Sequence, residues 1–245
     1  MIERALIYGD LLFETILASG GVPVLAHAHY ERLVAAATVL KFEHHLSFDQ
    51  FVTAIKQALA TNNLADARVR FVLYRDTTGF YKPATLTASW YVDVFPLPEI
   101  KQSIKLGLYT DNYKPCNELS TLKTGNALLY VMAGIWASEN GYDDALILNE
   151  HGCVCEATSS NIFIVKNEQV ITPPVSEGCV DGVKRRFIMH RLQEQQYPVK
   201  ESVVTIEQVQ DADAVFLTNA ITGVVKVAQF EDRMYDNSAL GILFS

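Results

Sequence analysis

The spacing of apolar residues changes period several times along the chain, and each change marks an element. FETILAS (Phe13–Ser19) and VPVL (Val22–Leu25) flank Gly20-Gly21 and predict a β-hairpin. YERLVAAATVL (Tyr30–Leu40) switches to helical spacing, and SFDQFVTAIKQAL (Ser47–Leu59) predicts a second helix. Ser47 suits the N-cap there, with Gln50 three residues on completing a capping-box pattern. RVRFVLYR (Arg68–Arg75), LTASWYVDVF (Leu86–Phe95) and SIKLGLYT (Ser103–Thr110) read as strands. The polar, proline-containing NYKPCNEL (Asn112–Leu119) is the best linker candidate.

Beyond it, ALLYVMAGIWASEN (Ala127–Asn140) is helical and stops at Gly141, a residue suited to a left-handed cap. ALILN (Ala145–Asn149), NIFIV (Asn161–Val165), QVIT (Gln169–Thr172) and AVFLT (Ala214–Thr218) supply further extended segments, with VKRRFIMHRLQEQ (Val183–Gln195) as a helix among them. No repeat or low-complexity tract interrupts the pattern. The expected fold is mixed α and β (α+β) in two lobes, a smaller one over 1–114 and a larger one over 115–245.

Composition narrows the function classes. At 245 residues and 49% hydrophobic, the chain can bury a substantial core. A net charge of −8 without a Lys/Arg run argues against nucleic acid or an anionic membrane surface as partner. No apolar stretch approaches the roughly 20 residues that span a bilayer, and MIERALIYGD lacks the pattern of a secretory leader, so a cytoplasmic location is expected. Cys116, Cys153, Cys155 and Cys179 show no paired ligand spacing, so buried thiols are expected rather than disulfides or a metal site.

Several separated motifs carry more specific chemistry. LKTGNALLYVMAG, then DDALILNEHGCVCEATSSNIFIVKNEQVITPPVSEGCVDGVKRR, with YGDLLFETI ahead of both, resembles the class IV aminotransferases, the fold-type IV pyridoxal-phosphate enzymes. The resemblance runs from position 8 to about Phe230 and implies a two-lobed D-amino-acid aminotransferase-like fold with pyridoxal 5'-phosphate between the lobes, in a homodimer. It also implies that Lys123 carries the cofactor as a Schiff base and moves protons at the substrate α-carbon. Glu156 matches the glutamate facing the pyridine nitrogen, where a carboxylate keeps the ring protonated and electron-accepting. Arg32 matches the phosphate-binding arginine, and His29 fits as a supporting hydrogen-bond partner. Gly182-Val183-Lys184 matches the helix start whose backbone N–H groups receive the phosphate, and Asn219-Ala220 matches the other end of that cup.

Secondary residues bear on which member the chain resembles. Lys123-Thr124-Gly125-Asn126 has the K-x-x-N form of aminodeoxychorismate lyases and D-amino-acid aminotransferases rather than the branched-chain K-x-G-G-N-Y. Gly182-Val183-Lys184-Arg185 lacks the threonine of the transaminase G-I-T-R run, and Thr218-Asn219-Ala220 resembles the lyase motif. These departures imply 4-amino-4-deoxychorismate lyase, with a branched-chain or D-amino-acid aminotransferase as the alternative. Phe80 stands where relatives can place a substrate-carboxylate arginine, leaving Arg70, Arg75 and Lys82 as substrate-binding candidates and Lys114 as a further cation. The segment before YGD is short for the family, which implies a missing edge strand.

Overall fold

A computed structural model describes residues 3–243. The chain divides into two compact units. The first runs to Glu99 and takes back Leu122–Asn126; the second holds Ile100–Thr121 and the chain from Ala127 onward.

In the first unit, helix α1 (Glu3–Tyr8) precedes β1 (Leu11–Ser19) and β2 (Val22–Pro23); α2 (Ala26–Val39), α3 (Phe48–Thr61), β3 (Ala67–Arg75) and β4 (Ala88–Phe95) follow. The four strands form an antiparallel sheet in the order β2-β1-β3-β4. The strands have a period of two, so Leu12, Ile16 and Ala18 of β1 and Val69, Phe71 and Leu73 of β3 enter one core with Leu33, Phe51, Ile55 and Leu59 of the helices. The capping box forms as expected: the Ser47 side chain accepts from Gln50 N–H, and the Gln50 side chain accepts from Ser47 N–H. Helix α1 occupies the stretch ahead of β1, and β2 and β4 are the edges of this sheet.

The second unit comprises β5 (Ser103–Lys114), α4 (Leu128–Glu139), β6 (Asp144–Asn149), β7 (Val154–Ala157), β8 (Asn161–Lys166), β9 (Gln169–Thr172), α5 (Val183–Glu194), β10 (Val199–Glu201), α6 (Ile206–Gln210), β11 (Ala214–Asn219), β12 (Gly223–Phe230), β13 (Arg233–Met234) and α7 (Ser238–Leu243). Its sheet runs β10-β9-β8-β11-β12-β5-β6-β7, with β13 paired to β12. The β5 strand pairs in parallel with both β12 and β6.

That placement differs from the expected boundary at 114/115. Leu106 and Tyr109 of β5 face opposite sides of the sheet and both are buried, Leu106 among Leu146, Val215 and Val227, Tyr109 among Ala133, Ala137 and Ile147. A strand covered on both faces belongs inside a layered sheet, and the layers that cover this one come from later in the chain. The expected linker is structured too: β5 continues to Lys114, and Glu118–Thr121 form a 3-10 turn.

Candidate active site

Lys123 reaches its position because Leu122–Asn126 returns to the first unit alongside β1. Phe13 N–H donates to Lys123 O at 3.0 Å, Gly125 N–H donates to Leu11 O at 3.2 Å, and Leu12 and Thr124 form an antiparallel bridge. A Cβ on Gly125 would lie 2.9 Å from Leu11 Cγ and 3.2 Å from Gly9 Cα, so this approach requires glycine. The Lys123 ammonium sits 4.5 Å from the centre of the Phe13 ring. Phe13 lies on the face of β1 opposite the helical core, and Arg70 shares that face through its pairing with Thr15. Arg70 also stacks on Phe95 at 5.2 Å.

The core-facing series of β1 has one polar member, Glu14, which is 1% exposed. Arg32 from α2 grips it in a fork, Nε to Oε1 at 2.8 Å and NH2 to Oε2 at 2.5 Å, and His29 Nδ1 meets Oε2 at 2.6 Å. Burial opposes ionisation of this carboxyl, yet the Arg32 charge and the hydrogen bonds from His29 and Arg32 outweigh it and hold its pKa at about 2. His29, expected as a supporting hydrogen-bond partner at the phosphate, here meets Glu14. Glu14 was not singled out from sequence; a carboxylate at a core-facing position of FETILAS was the available signal.

Arg75, expected as a substrate-binding candidate, turns inward in this structure. It lies on the core face of β3 at 6% exposure, with Nε donating to Asp10 Oδ2, NH1 to Lys41 O, NH2 to Leu40 O, and its plane over Phe42. Arg4 binds the same Asp10 carboxylate and donates to the backbone oxygens of Gly79 and Phe80. The Phe80 side chain is 84% exposed, and Lys82 is exposed in the same loop.

In the second unit, Glu156 of β7 is buried and three donors converge on it: the Lys114 ammonium, Tyr130 Oη at 2.7 Å, and Val180 N–H at 3.1 Å. Burial first, and then the Glu156 charge, push the Tyr130 phenol pKa well above its usual value, so it remains a donor. Tyr130 was missed because nothing in a helical tyrosine's sequence context reports its partner 26 residues away.

The same unit holds the α5 start. Gly182 is the N-cap of α5, and a Cβ there would fall 2.0 Å from Asn161 Oδ1. Val183 is buried behind it. Lys184, half-buried, lies over Phe187, and its Cε would be 3.9 Å from a Cβ on Gly223 in the β11–β12 turn. Burial, then the Arg191 charge, lowers its pKa. Asn219 organises that turn: its Oδ1 accepts from Ile221 N–H, Thr222 N–H and Thr222 Oγ1, and its Nδ2 donates to Ser160 Oγ. Ala220 is partly exposed in the turn. Thr218 pairs in register with Asn161, and its buried hydroxyl has no hydrogen-bond partner.

Comparison with known proteins gives these features a family. The Amino-transferase class IV model matches residues 11–230. A Methanocaldococcus jannaschii protein named "Putative branched-chain-amino-acid aminotransferase" is 30% identical over 98% of this chain and 85% of its own. A D-alanine aminotransferase of Staphylococcus epidermidis is 24% identical over 98% of this chain and 86% of its own. A crystal structure from Legionella pneumophila, named "Putative 4-amino-4-deoxychorismate lyase", superposes with a TM-score of 0.92 at 28% identity, covering 98% of this chain and 90% of that one. The chain belongs to the class IV aminotransferases, which are pyridoxal-phosphate enzymes with this mixed α and β fold.

The residues present fit that cofactor. No side chain caps the α5 N-terminus at Gly182, and the Thr218 hydroxyl on the Asn161 face is a buried polar group lacking a partner. Glu156 presents a buried carboxylate suited to a pyridinium N–H.

Proposed function

We propose that this enzyme is a 4-amino-4-deoxychorismate lyase, eliminating pyruvate to leave 4-aminobenzoate. The observation that carries the reading is the Asn219 turn, in which one amide side chain binds two backbone N–H groups, a hydroxyl and Ser160. That arrangement gives a structural reason for asparagine in the lyase-like Thr218-Asn219-Ala220 motif. The likeness to the Legionella pneumophila structure supports it.

In this reading Lys123 carries the cofactor and moves the proton at the substrate α-carbon. Glu156, oriented by Lys114, Tyr130 and Val180 N–H, holds a proton at the ring nitrogen. Gly182, Val183, Lys184, Asn219 and Ala220 are the phosphate-binding residues of this reading, and Arg32 is assigned to the same group by the family motif. The bound cofactor supplies an electron sink for cleavage at the α-carbon. Arg70 and Lys82 are the cations left to meet substrate carboxylates, Arg70 being the better placed because it shares the Lys123 face.

The aminotransferase alternative rests on the M. jannaschii relative and on the apolar Phe13, Leu17 and Val72 of that same face, which suit an aliphatic side chain. Incubation with 4-amino-4-deoxychorismate and a coupled pyruvate assay tests the lyase. Pyruvate release is expected; its absence, with amino transfer from branched-chain or D-amino acids to 2-oxoglutarate, would replace it with the alternative.

A cytoplasmic homodimer completes the proposal. Leu128, Val131, Met132 and Ile135 form an exposed apolar stripe on α4 at i, i+3, i+4 and i+7, as an interface helix would. No helix among the described residues is long and apolar enough to cross a membrane.

A further inference from the structure

Outside the elements just described, three donors of different kinds converge at the end of β5. Cys116 follows Lys114 and Pro115, and Glu150 and His151 occupy the turn between β6 and β7. A ligand atom from each lies within 4.8 Å of the other two. Sequence spacing gave no hint of them, because Cys116 stands 34 residues before Glu150 and meets it only through the parallel β5–β6 pairing.

The backbone already holds the three together. Cys116 N–H donates to Glu150 Oε1 at 2.7 Å, and Glu150 N–H donates to Lys114 O at 2.9 Å. The turn is built on Asn149, fully buried, whose Oδ1 accepts from the N–H groups of His151 and Cys153 and whose Nδ2 donates to Glu177. Donors fixed by such a supporting layer need little rearrangement to bind a cation. Cys116 is half-buried while Glu150 and His151 are exposed, so the cluster is open to solvent.

We propose that Cys116, Glu150 and His151 form a site for a divalent transition metal of the zinc class. A thiolate, an imidazole and a carboxylate are a borderline-soft set that suits zinc and disfavours magnesium or calcium, which take oxygen ligands. Three protein ligands leave the fourth tetrahedral position to water. The metal displaces the thiol proton on binding, with no redox change. It would clamp the end of β5 to the β6–β7 turn, two residues from Lys114, and so stiffen the backbone that presents Lys114 to Glu156.

The test is titration of tag-free holoenzyme with Zn2+ by calorimetry and with Co2+ by absorption, for the wild type, Cys116→Ser and His151→Ala. The wild type is expected to bind one equivalent per chain, with a tetrahedral Co2+ spectrum that includes a thiolate charge-transfer band, and Mg2+ is expected not to compete. Each substitution removes a direct ligand, so each should weaken binding by more than the about 10–100-fold typical of losing a supporting partner. His151 is exposed, so His151→Ala remains informative if Cys116→Ser perturbs folding. No stoichiometric binding in the wild type, binding that survives both substitutions, or a Co2+ spectrum without the thiolate band would overturn the proposal.

Discussion

Removing the charge of Glu14 tests how the first unit positions Arg32. In Glu14→Gln the amide keeps the shape of the side chain but removes the carboxylate that the partly buried Arg32 guanidinium grips. The carboxyl lies near 2 in the folded protein against 4.5 as an ordinary value, so ionised Glu14 favours the folded state by about 3 kcal/mol, at 1.36 kcal/mol per unit. The independent expectation for breaking one side of a buried ion pair is about 3–5 kcal/mol, which agrees. In a chain of this length that corresponds to a Tm lowered by roughly 6–12 °C. The sign fixes the pH dependence: the folded-state pKa is depressed, so this stability is present above about pH 4.5 and is lost as pH falls toward about 2. Melting curves of wild type and Glu14→Gln, at fixed cofactor concentration, should therefore differ most near neutrality and converge in acid. Arg32→Met combined with Glu14→Gln should recover part of the loss, because it also removes the cation that the carboxylate had faced. A variant that melts within about 2 °C of wild type at neutral pH would refute the reasoning.

Other substitutions separate cofactor, substrate and structural roles. Gly182→Ala drives a methyl into Asn161 and should reduce cofactor retention on dialysis by about 10-fold or more, followed by the cofactor absorbance; retention equal to wild type would remove Gly182 from the phosphate site. Tyr130→Phe deletes one hydrogen bond to a buried carboxylate, worth about 1.5–3 kcal/mol, and should shift the absorbance of the bound cofactor and lower kcat with the fold intact by circular dichroism. Arg75→Met should lower Tm by several degrees, because it strips Asp10 and two carbonyls of a buried donor. Arg70→Met should leave Tm near wild type and raise KM; the reverse pattern for this pair would return the substrate role to Arg75.

Much of the local structure was legible in the chain. The periods of FETILAS, SFDQFVTAIKQAL and RVRFVLYR, the Ser47–Gln50 cap and the glycine after α4 report interactions between residues a few positions apart, and these depend on backbone geometry alone. The motif residues Lys123, Glu156, Gly182 and Asn219 stood out only through the family resemblance of the runs that hold them, not through period or spacing.

Only the tertiary structure decided what those residues meet. Alternation made β5 a strand, but its membership of the second sheet followed from Leu106 and Tyr109 needing cover on both faces. Sequence left Arg75 as a substrate-binding candidate; its position on the core face of β3 turned it inward to Asp10 and two backbone carbonyls. Glu14 acquired Arg32 and His29, Glu156 acquired Lys114 and Tyr130, and Cys116 acquired Glu150 and His151, across 15 to 42 residues of chain. Periodicity carries no information at that range. Strand pairing and side-chain burial set these contacts, and both are properties of the packed molecule.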